Sequence, residues 1–214
     1  MNLQNKLLKR AKLTARIAGV DWSSIEDRAK QIIVYGSRAT LAHKRSSDLD
    51  LLCIGHGHRY KSDKIHIIWI EETRLRNKRW LGSELATHVA AYGTWIKGKN
   101  TWAISSRPNA HAILLIEKRI QERADTLVEQ WPFLLTAFRK KHLTRLRRDL
   151  QRYALMLAGN PPVPVGMLDR EWIRSDPDKR WRSILRKTPS MVPNVMGVLK
   201  LAGIRHVLPK GERP

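Results

Sequence analysis

The first third of the chain carries short apolar runs with the length and branching of strands. Residues 31–35, QIIVY, read as a buried strand ending at Gly36. Residues 48–54, DLDLLCI, predict a second strand, and the β-branched run KIHIIWI, residues 64–70, a third. Residues 37–47 between the first two predict a short helix and then a loop, and GHGHRYKSD a turn. Helical patterns surround these runs. At the start, Leu3, Leu7 and Leu8 share a face with Ala11 while Lys6, Lys9 and Arg10 point elsewhere. Glu71 and Glu72 suit the first turn of a helical stretch, and GSELATHVAAYGTWIKG reads as a further helix with Ser83 as its N-cap.

After about residue 105 the strand signal stops and longer helical periods take over. One helix is predicted over residues 108–130, starting near Pro108, and another opens at Pro132. In the second, Leu143, Leu146, Leu150, Tyr153 and Leu157 recur at steps of three and four, an apolar stripe. Arg139, Lys140, Lys141, Arg145, Arg147, Arg148 and Arg152 fall on its other sides. GNPPVPVG ends that helix as a stiff linker. The pattern predicts an α/β domain over residues 1–104 and an all-α, basic domain over 105–214.

Charge adds a candidate partner to this outline. The 214 residues contain 41 Lys+Arg against 19 Asp+Glu, a net charge of +22, and such a field attracts polyanions, with nucleic acid the usual one. A single cysteine, Cys53, excludes an internal disulfide and any cysteine-rich zinc site. Its apolar surroundings predict a buried, inert thiol, and this usage fits a reducing, cytoplasmic setting. No run reaches the roughly twenty apolar residues that span a bilayer. The basic, acid-free start could be read as a transit peptide or a surface helix, but its periodicity suits an ordinary amphipathic helix.

The chemistry concentrates in VYGSRATLAHKRSSDLDLLCIG, residues 34–55. Side chains alternate along a strand, so Asp48 and Asp50 share one face and Leu49 and Leu51 the other. Two neighbouring carboxylates repel and each resists desolvation. They need either cationic side chains or a hard divalent ion such as Mg²⁺ or Mn²⁺, which takes carboxylate oxygens. Gly36 lets the backbone approach a ligand closely. A helix starting at Ser37 would offer free N–H groups to a phosphate. Arg38, Lys44 and Arg45 flank this turn and suit the charge of a triphosphate, or else form a solvated basic loop.

GSRA, then a basic loop, then SDLDLL resembles the minimal nucleotidyltransferases of the DNA polymerase β-like superfamily, over roughly residues 24–75. The resemblance implies a small mixed sheet flanked by helices, a nucleoside triphosphate donor and Mg²⁺. Carried over by position, Gly36 and Ser37 hold the triphosphate, and Asp48 and Asp50 hold metal. Two departures stand out. Many relatives have a second glycine near Leu41. Catalytic members also carry a third acid on the next strand, and the residue that aligns best here is His66. An imidazole there would act as a metal ligand, as a general base, or as an ordinary strand histidine. Asp63, Glu71 and Glu72 suit the third position less well by strand parity and placement. His56 and His58, in a glycine-rich turn, read as solvated loop residues rather than a metal pair.

The resulting expectation is a metal-dependent transfer of a nucleoside monophosphate from an NTP to a hydroxyl, with RNA such as a tRNA end favoured by the charge. A protein or a small molecule such as an antibiotic is the alternative acceptor. A degenerate nucleotide- or nucleic-acid-binding module, or a basic scaffold protein, are the non-enzymatic readings. A partner of toxin–antitoxin type would be natural for the family. Eight tryptophans offer stacking surfaces wherever they are exposed, though most belong in cores.

Overall fold

The structure is a computed structural model that describes residues 2–40, 47–173 and 177–204. The chain divides into two compact units. One runs to Pro108 and includes Val163–Met167, and the other comprises Asn109–Pro162 and the chain from Leu168 onward.

In the first unit, helices α1 (Leu3–Ile17) and α2 (Trp22–Arg28) lead into strand β1 (Ala29–Tyr35). Strands β2 (Leu49–Gly55), β3 (Tyr60–Lys61), β4 (Ile65–Ile70) and β5 (Thr94–Lys97) complete one mixed sheet in the order β3-β4-β2-β1-β5. β2 runs antiparallel to β1 and parallel to β4. It is therefore an interior strand, buried on both faces, and its near-continuous apolar sequence follows from that position. Leu49, Leu51 and Cys53 pack with Leu7, Ala11, Ala15 and Ile25 of α1 and α2. Leu52 and Ile54 pack on the other face, against Ala86 and Val89 of α4 (Glu84–Tyr92) and against Trp102 and Ala103. Asp50 and His66 have the parity of that second face. Cys53 is buried, and burial pushes its thiol up to about 12, as an inert core residue requires.

Several expectations change here. The helix predicted across residues 82–98 ends at Tyr92, and Thr94–Lys97 is an edge strand paired with β1. Gly93 follows the helix directly, and a Cβ there would lie 2.6 Å from the Val89 carbonyl oxygen, so the chain can turn only with glycine. Ser83 caps α4 through the Ala86 N–H, as expected. The stretch opened by Glu71 and Glu72 is a 3₁₀ turn at Glu72–Arg76 followed by the short helix α3 (Lys78–Leu81). On α1, Leu7 and Ala11 are buried as the periodicity predicts, joined by Ala15, but Leu3 is exposed.

The second unit is helical. Its helices are α5 (Ala110–Gln130), α6 (Thr136–Leu157), α7 (Val165–Ile173), whose first residues belong to the other unit, α8 (Pro177–Lys187) and α9 (Val192–Leu201). α5 starts at an Asn109 cap, and Pro132 lies in a 3₁₀ turn before α6 rather than at its start. Of the predicted stripe, Leu146, Leu150 and Tyr153 are buried and Leu143 packs on the cluster, while Leu157 is exposed. Among the described residues, no helix is long and apolar enough to cross a membrane.

Candidate nucleotidyl transfer site

The edge of β1, β2 and β4 nearest the Gly36 turn gathers the residues singled out above. The strand register aligns Tyr35, Asp50 and His66 across β1, β2 and β4, and Lys61 of β3 continues the row. Paired positions point to one face of a sheet, so these four side chains share the face that carries Asp50. Asp48 lies one residue before β2, half-buried, and its carboxylate has no hydrogen-bond or ion-pair partner among the described residues.

Gly36 is fixed by two independent constraints. Its φ is +72°, a left-handed conformation that suits glycine. A Cβ at this position would also lie 2.7 Å from Asp50 Oδ2. The turn that ends β1 thus presses backbone against the carboxylate. Residues 36–40 form a hydrogen-bonded turn, with the Thr40 hydroxyl 3.4 Å from the Gly36 and Ser37 carbonyl oxygens. Within the described residues, the helix expected from Ser37 is therefore a turn. Lys44 and Arg45 lie outside the described residues.

Arg38, predicted to face the triphosphate, is 8% exposed. Its Nε donates to the carbonyl oxygens of Ser47 at 3.0 Å and Asp48 at 2.9 Å, and Nη2 also donates to Ser47. This fork holds the backbone that enters β2. Nη1 is buried without a hydrogen-bond partner. Burial lowers the pKa of Arg38, while Asp48 and Asp50 favour its charge.

Asp50 is the electrostatic centre of the row. Burial first, and the neighbouring Asp48 second, push its carboxyl up to about 7, against the opposing pull of Lys61 and Arg38. Among the described residues, fixed cations therefore do not neutralise Asp50. Tyr35 is raised by burial and then by Asp50, so its hydroxyl stays protonated. His66 Nδ1 lies 3.6 Å from Asp50 Oδ1, too long for a strong hydrogen bond. On the other side of the ring, Nε2 accepts from Arg59 Nε at 3.2 Å. The ring proton of a neutral His66 is therefore on Nδ1, facing Asp50. Burial, followed by Arg59 and Lys61, lowers the His66 pKa and keeps that tautomer neutral.

The donor set suits a hard cation shared with a substrate. Among the described residues there is no cluster of three or more His, Cys, Asp or Glu side chains around one point. Two carboxylates alone fit Mg²⁺, which keeps waters and is commonly held by one or two carboxylates together with substrate phosphates. Asp63 is paired with Lys64 and highly exposed, and Glu72 with Lys30, which leaves neither in the row.

Arg59 was not singled out from the sequence. Its only sequence signal is a basic residue in the turn seven positions before His66, which is too weak to find it. On α6, Lys140, Lys141 and Arg145 are exposed as expected, and the other cations are committed elsewhere. Arg147 is 3% exposed: Nη2 donates to Asp169, and the guanidinium lies 4.7 Å from the Trp172 ring centroid. Arg148 Nε donates to the same carboxylate at 3.0 Å. Burial raises the Asp169 pKa, but the hydrogen bonds from Arg148 and Arg147 outweigh it and hold the carboxyl below the usual range. Arg139 is half-buried over Trp131, and Arg152 is half-buried with an interaction of its own. Arg147 and Arg148 are thus ion-pair residues of the helical unit, which corrects their placement on a free basic face. None of the eight tryptophans is exposed.

A mixed sheet with a Gly-Ser turn after one strand and an Asp-x-Asp entering the next defines a nucleotidyltransferase core. Residues 21–122 match the family model described as "Nucleotidyltransferase domain". The chain carries a nucleotidyltransferase domain that fits the polymerase β-like superfamily, and it is an enzyme of that class. No curated protein matches the sequence. Among solved structures, the chain is similar to a spectinomycin adenyltransferase from Enterococcus faecialis, solved with ATP and spectinomycin. That match has 12% identity and a TM-score of 0.47, and covers 94% of this chain and 98% of the other. A nucleotidyltransferase-like protein from Exiguobacterium sibiricum matches at 15% identity and TM-score 0.36, over 82% of this chain and 69% of the other. A toxin-antitoxin structure with AMP-PNP matches at 13% identity and TM-score 0.26, over 60% of this chain and 98% of the other. At these identities and scores the likenesses assign neither substrate nor partner.

Proposed function

We propose that the protein transfers a nucleoside monophosphate from an NTP to a hydroxyl acceptor, with Asp48 and Asp50 holding a divalent cation, Mg²⁺ or Mn²⁺. The observation that carries this reading is the Asp48/Asp50 pair itself: neighbouring carboxylates without a cationic ion-pair partner among the described residues, with Asp50 against the Gly36 turn. A bound cation would neutralise the charge of the donor phosphates and of the transition state. The protein's own contributions are orientation and donors. The Gly36-Ser37 turn brings backbone close to the donor, and the Ser37 hydroxyl suits a phosphate oxygen. Arg38 fixes the entry to β2 and so the position of Asp48. His66, its Nε2 engaged by Arg59, turns Nδ1–H toward Asp50 without a hydrogen bond and does not serve as the base. The acceptor oxygen forms a bond to the α-phosphorus as the bond to the pyrophosphate leaving group breaks, and the hydroxyl proton passes to solvent water.

RNA is the favoured acceptor because the chain carries +22. Lys140, Lys141 and Arg145 are the exposed cations of α6 that suit its phosphates. The direct test incubates the protein with labelled NTPs and Mg²⁺ against total RNA, bulk protein and a small-molecule panel that includes antibiotics. Labelled RNA that disappears in Asp50→Asn and in EDTA is the expected result. Label found only on protein or small molecules would replace the RNA assignment, and no label anywhere would end the transfer reading.

A further inference from the structure

The opposite end of the same sheet holds a second constellation that nucleotidyl transfer does not use. An open cavity of about 510 Å³ is lined by Arg28, His56, His58, Trp69, Glu71 and Arg74 with their neighbours. Asp50 and His66 lie near the starts of β2 and β4. Gly55 and Ile70 end those strands, so the cavity is removed by about five residues, roughly 16 Å along a strand. Volumes of this order suit a small organic ligand.

The cavity is built by the GHGH turn. Gly57 lies flat on Trp69, where a Cβ would be 2.3 Å from the indole, so only glycine brings the turn this close. That contact puts His56 and His58 on the cavity rim. Arg28 is held in place from below: its Nε donates to the Ser24 carbonyl at 3.0 Å and its Nη2 to the Ser24 hydroxyl at 2.6 Å. Its guanidinium lies 5.8 Å from the Trp69 ring centroid. Arg74, His56, His58 and Glu71 make no side-chain hydrogen bond or ion pair among the described residues. Two guanidiniums and two imidazoles thus converge on one space with a single carboxylate among them.

The geometry points to a second binding site here, for a phosphate ester bearing neighbouring hydroxyls, the ribose phosphate unit. Phosphate is favoured over a carboxylate because its oxygens accept from several directions at once, and the donors here are four residues on three segments. Glu71 repels a bare anion but accepts from hydroxyls, so it selects a ligand that carries both groups. Arg28 is already ordered by Ser24, so its share of the ordering cost is met before binding. The same unit occurs in a free phosphate ester and in an RNA strand.

NMR of ¹⁵N-tryptophan-labelled protein, with the Trp69 indole signal assigned by its loss in Trp69→Phe, tests this directly. Ribose 5-phosphate and a short single-stranded RNA are titrated separately. A saturating shift of the Trp69 signal is expected, weakened roughly tenfold in Arg74→Glu and less in His58→Gln. Asp50→Asn should leave it unchanged. Saturation by ribose 5-phosphate identifies a site for free esters, and saturation by the oligonucleotide alone identifies a strand contact. If Arg74→Glu loses its dispersed indole signals, His58→Gln decides. No saturating shift with either probe, an undiminished shift in the folded variants, or a shift abolished by Asp50→Asn would overturn the assignment.

Discussion

Replacing Asp50 with asparagine should make the protein more stable while removing its activity. The folded state holds the Asp50 carboxyl at about 7, against 3.8 for the free side chain. For an acid raised on folding, the native state binds its proton more tightly than the unfolded chain does. The contribution to stability is therefore fully present below about pH 4 and is lost as pH rises through 7. The shift corresponds to about 4 kcal/mol at 1.36 kcal/mol per unit. The carboxylate is 23% exposed, and water reaching it lowers the measurable effect to about 2–3 kcal/mol. Asparagine has no charge to desolvate and none to set against Asp48, so the variant escapes this penalty.

Urea unfolding of both proteins between pH 4 and 8, with and without Mg²⁺, checks the argument. In the absence of divalent ions, Asp50→Asn should exceed the wild type by about 2–3 kcal/mol at pH 8, and the gap should close towards pH 4. Mg²⁺ at a hundredfold excess over its Kd should stabilise the wild type by about 2.7 kcal/mol and the variant far less. An Asp50→Asn protein no more stable than wild type at pH 8, or a gap independent of pH, would mean that the carboxylate is already neutralised by Lys61 or Arg38. The case for a cation between Asp48 and Asp50 would then fail.

Other substitutions separate the parts of the site. Gly36→Ala, with its Cβ 2.7 Å from Asp50 Oδ2 at φ +72°, should lose at least about 1–2 kcal/mol of stability and most transferase activity, read by urea unfolding and label transfer. Arg59→Ala frees His66 Nε2, so the His66 pKa should rise, seen by NMR titration, while activity falls only partly because the ring does not serve as the base. Arg147→Ala should cost about 3 kcal/mol by unfolding a buried ion-pair network. Lys140→Ala with Lys141→Ala should leave stability within about 0.5 kcal/mol but flatten the salt dependence of RNA binding by up to about two charges.

Much of the site could be read from the chain because it is local. Gly36, Ser37, Asp48 and Asp50 lie at adjacent strand ends, and alternation alone puts both acids on one face. Parity also put His66 beside Asp50, and the register pairs those two residues. The features that escaped are the ones decided by distant partners. Thr94–Lys97 continues the apolar pattern of the helix before it, and only pairing with β1 makes it a strand. Tyr60–Lys61 is too short to carry any periodicity. Arg147 and Arg148 looked like a free face because Asp169 and Trp172 lie more than twenty residues away on another helix. Arg38 resembled a ligand arginine, since no pattern tells a guanidinium that binds carbonyl groups from one that binds phosphate.

The placement of the acids on β2 also explains how the fold tolerates them. β2 has partners on both sides, and Leu49, Leu51, Leu52, Cys53 and Ile54 are fully buried on its two faces. Each buried leucine or isoleucine side chain contributes about 1.5–3 kcal/mol, so the strand can carry a penalty of a few kcal/mol at one end without losing its register. An edge strand such as β5, four residues long, has no such reserve. A left-handed glycine turn and two neighbouring carboxylates are therefore sustainable at the end of the most deeply buried strand, where a transferred nucleotidyl group would meet fixed backbone. Shortening the apolar side chains of β2, for instance Leu51→Ala, should consequently unfold this unit before it alters the chemistry: the expected result is a loss of about 3 kcal/mol with kcat of the remaining folded fraction unchanged. A large fall in kcat without a fall in stability would show that the site is held by the turn alone and not by the strand.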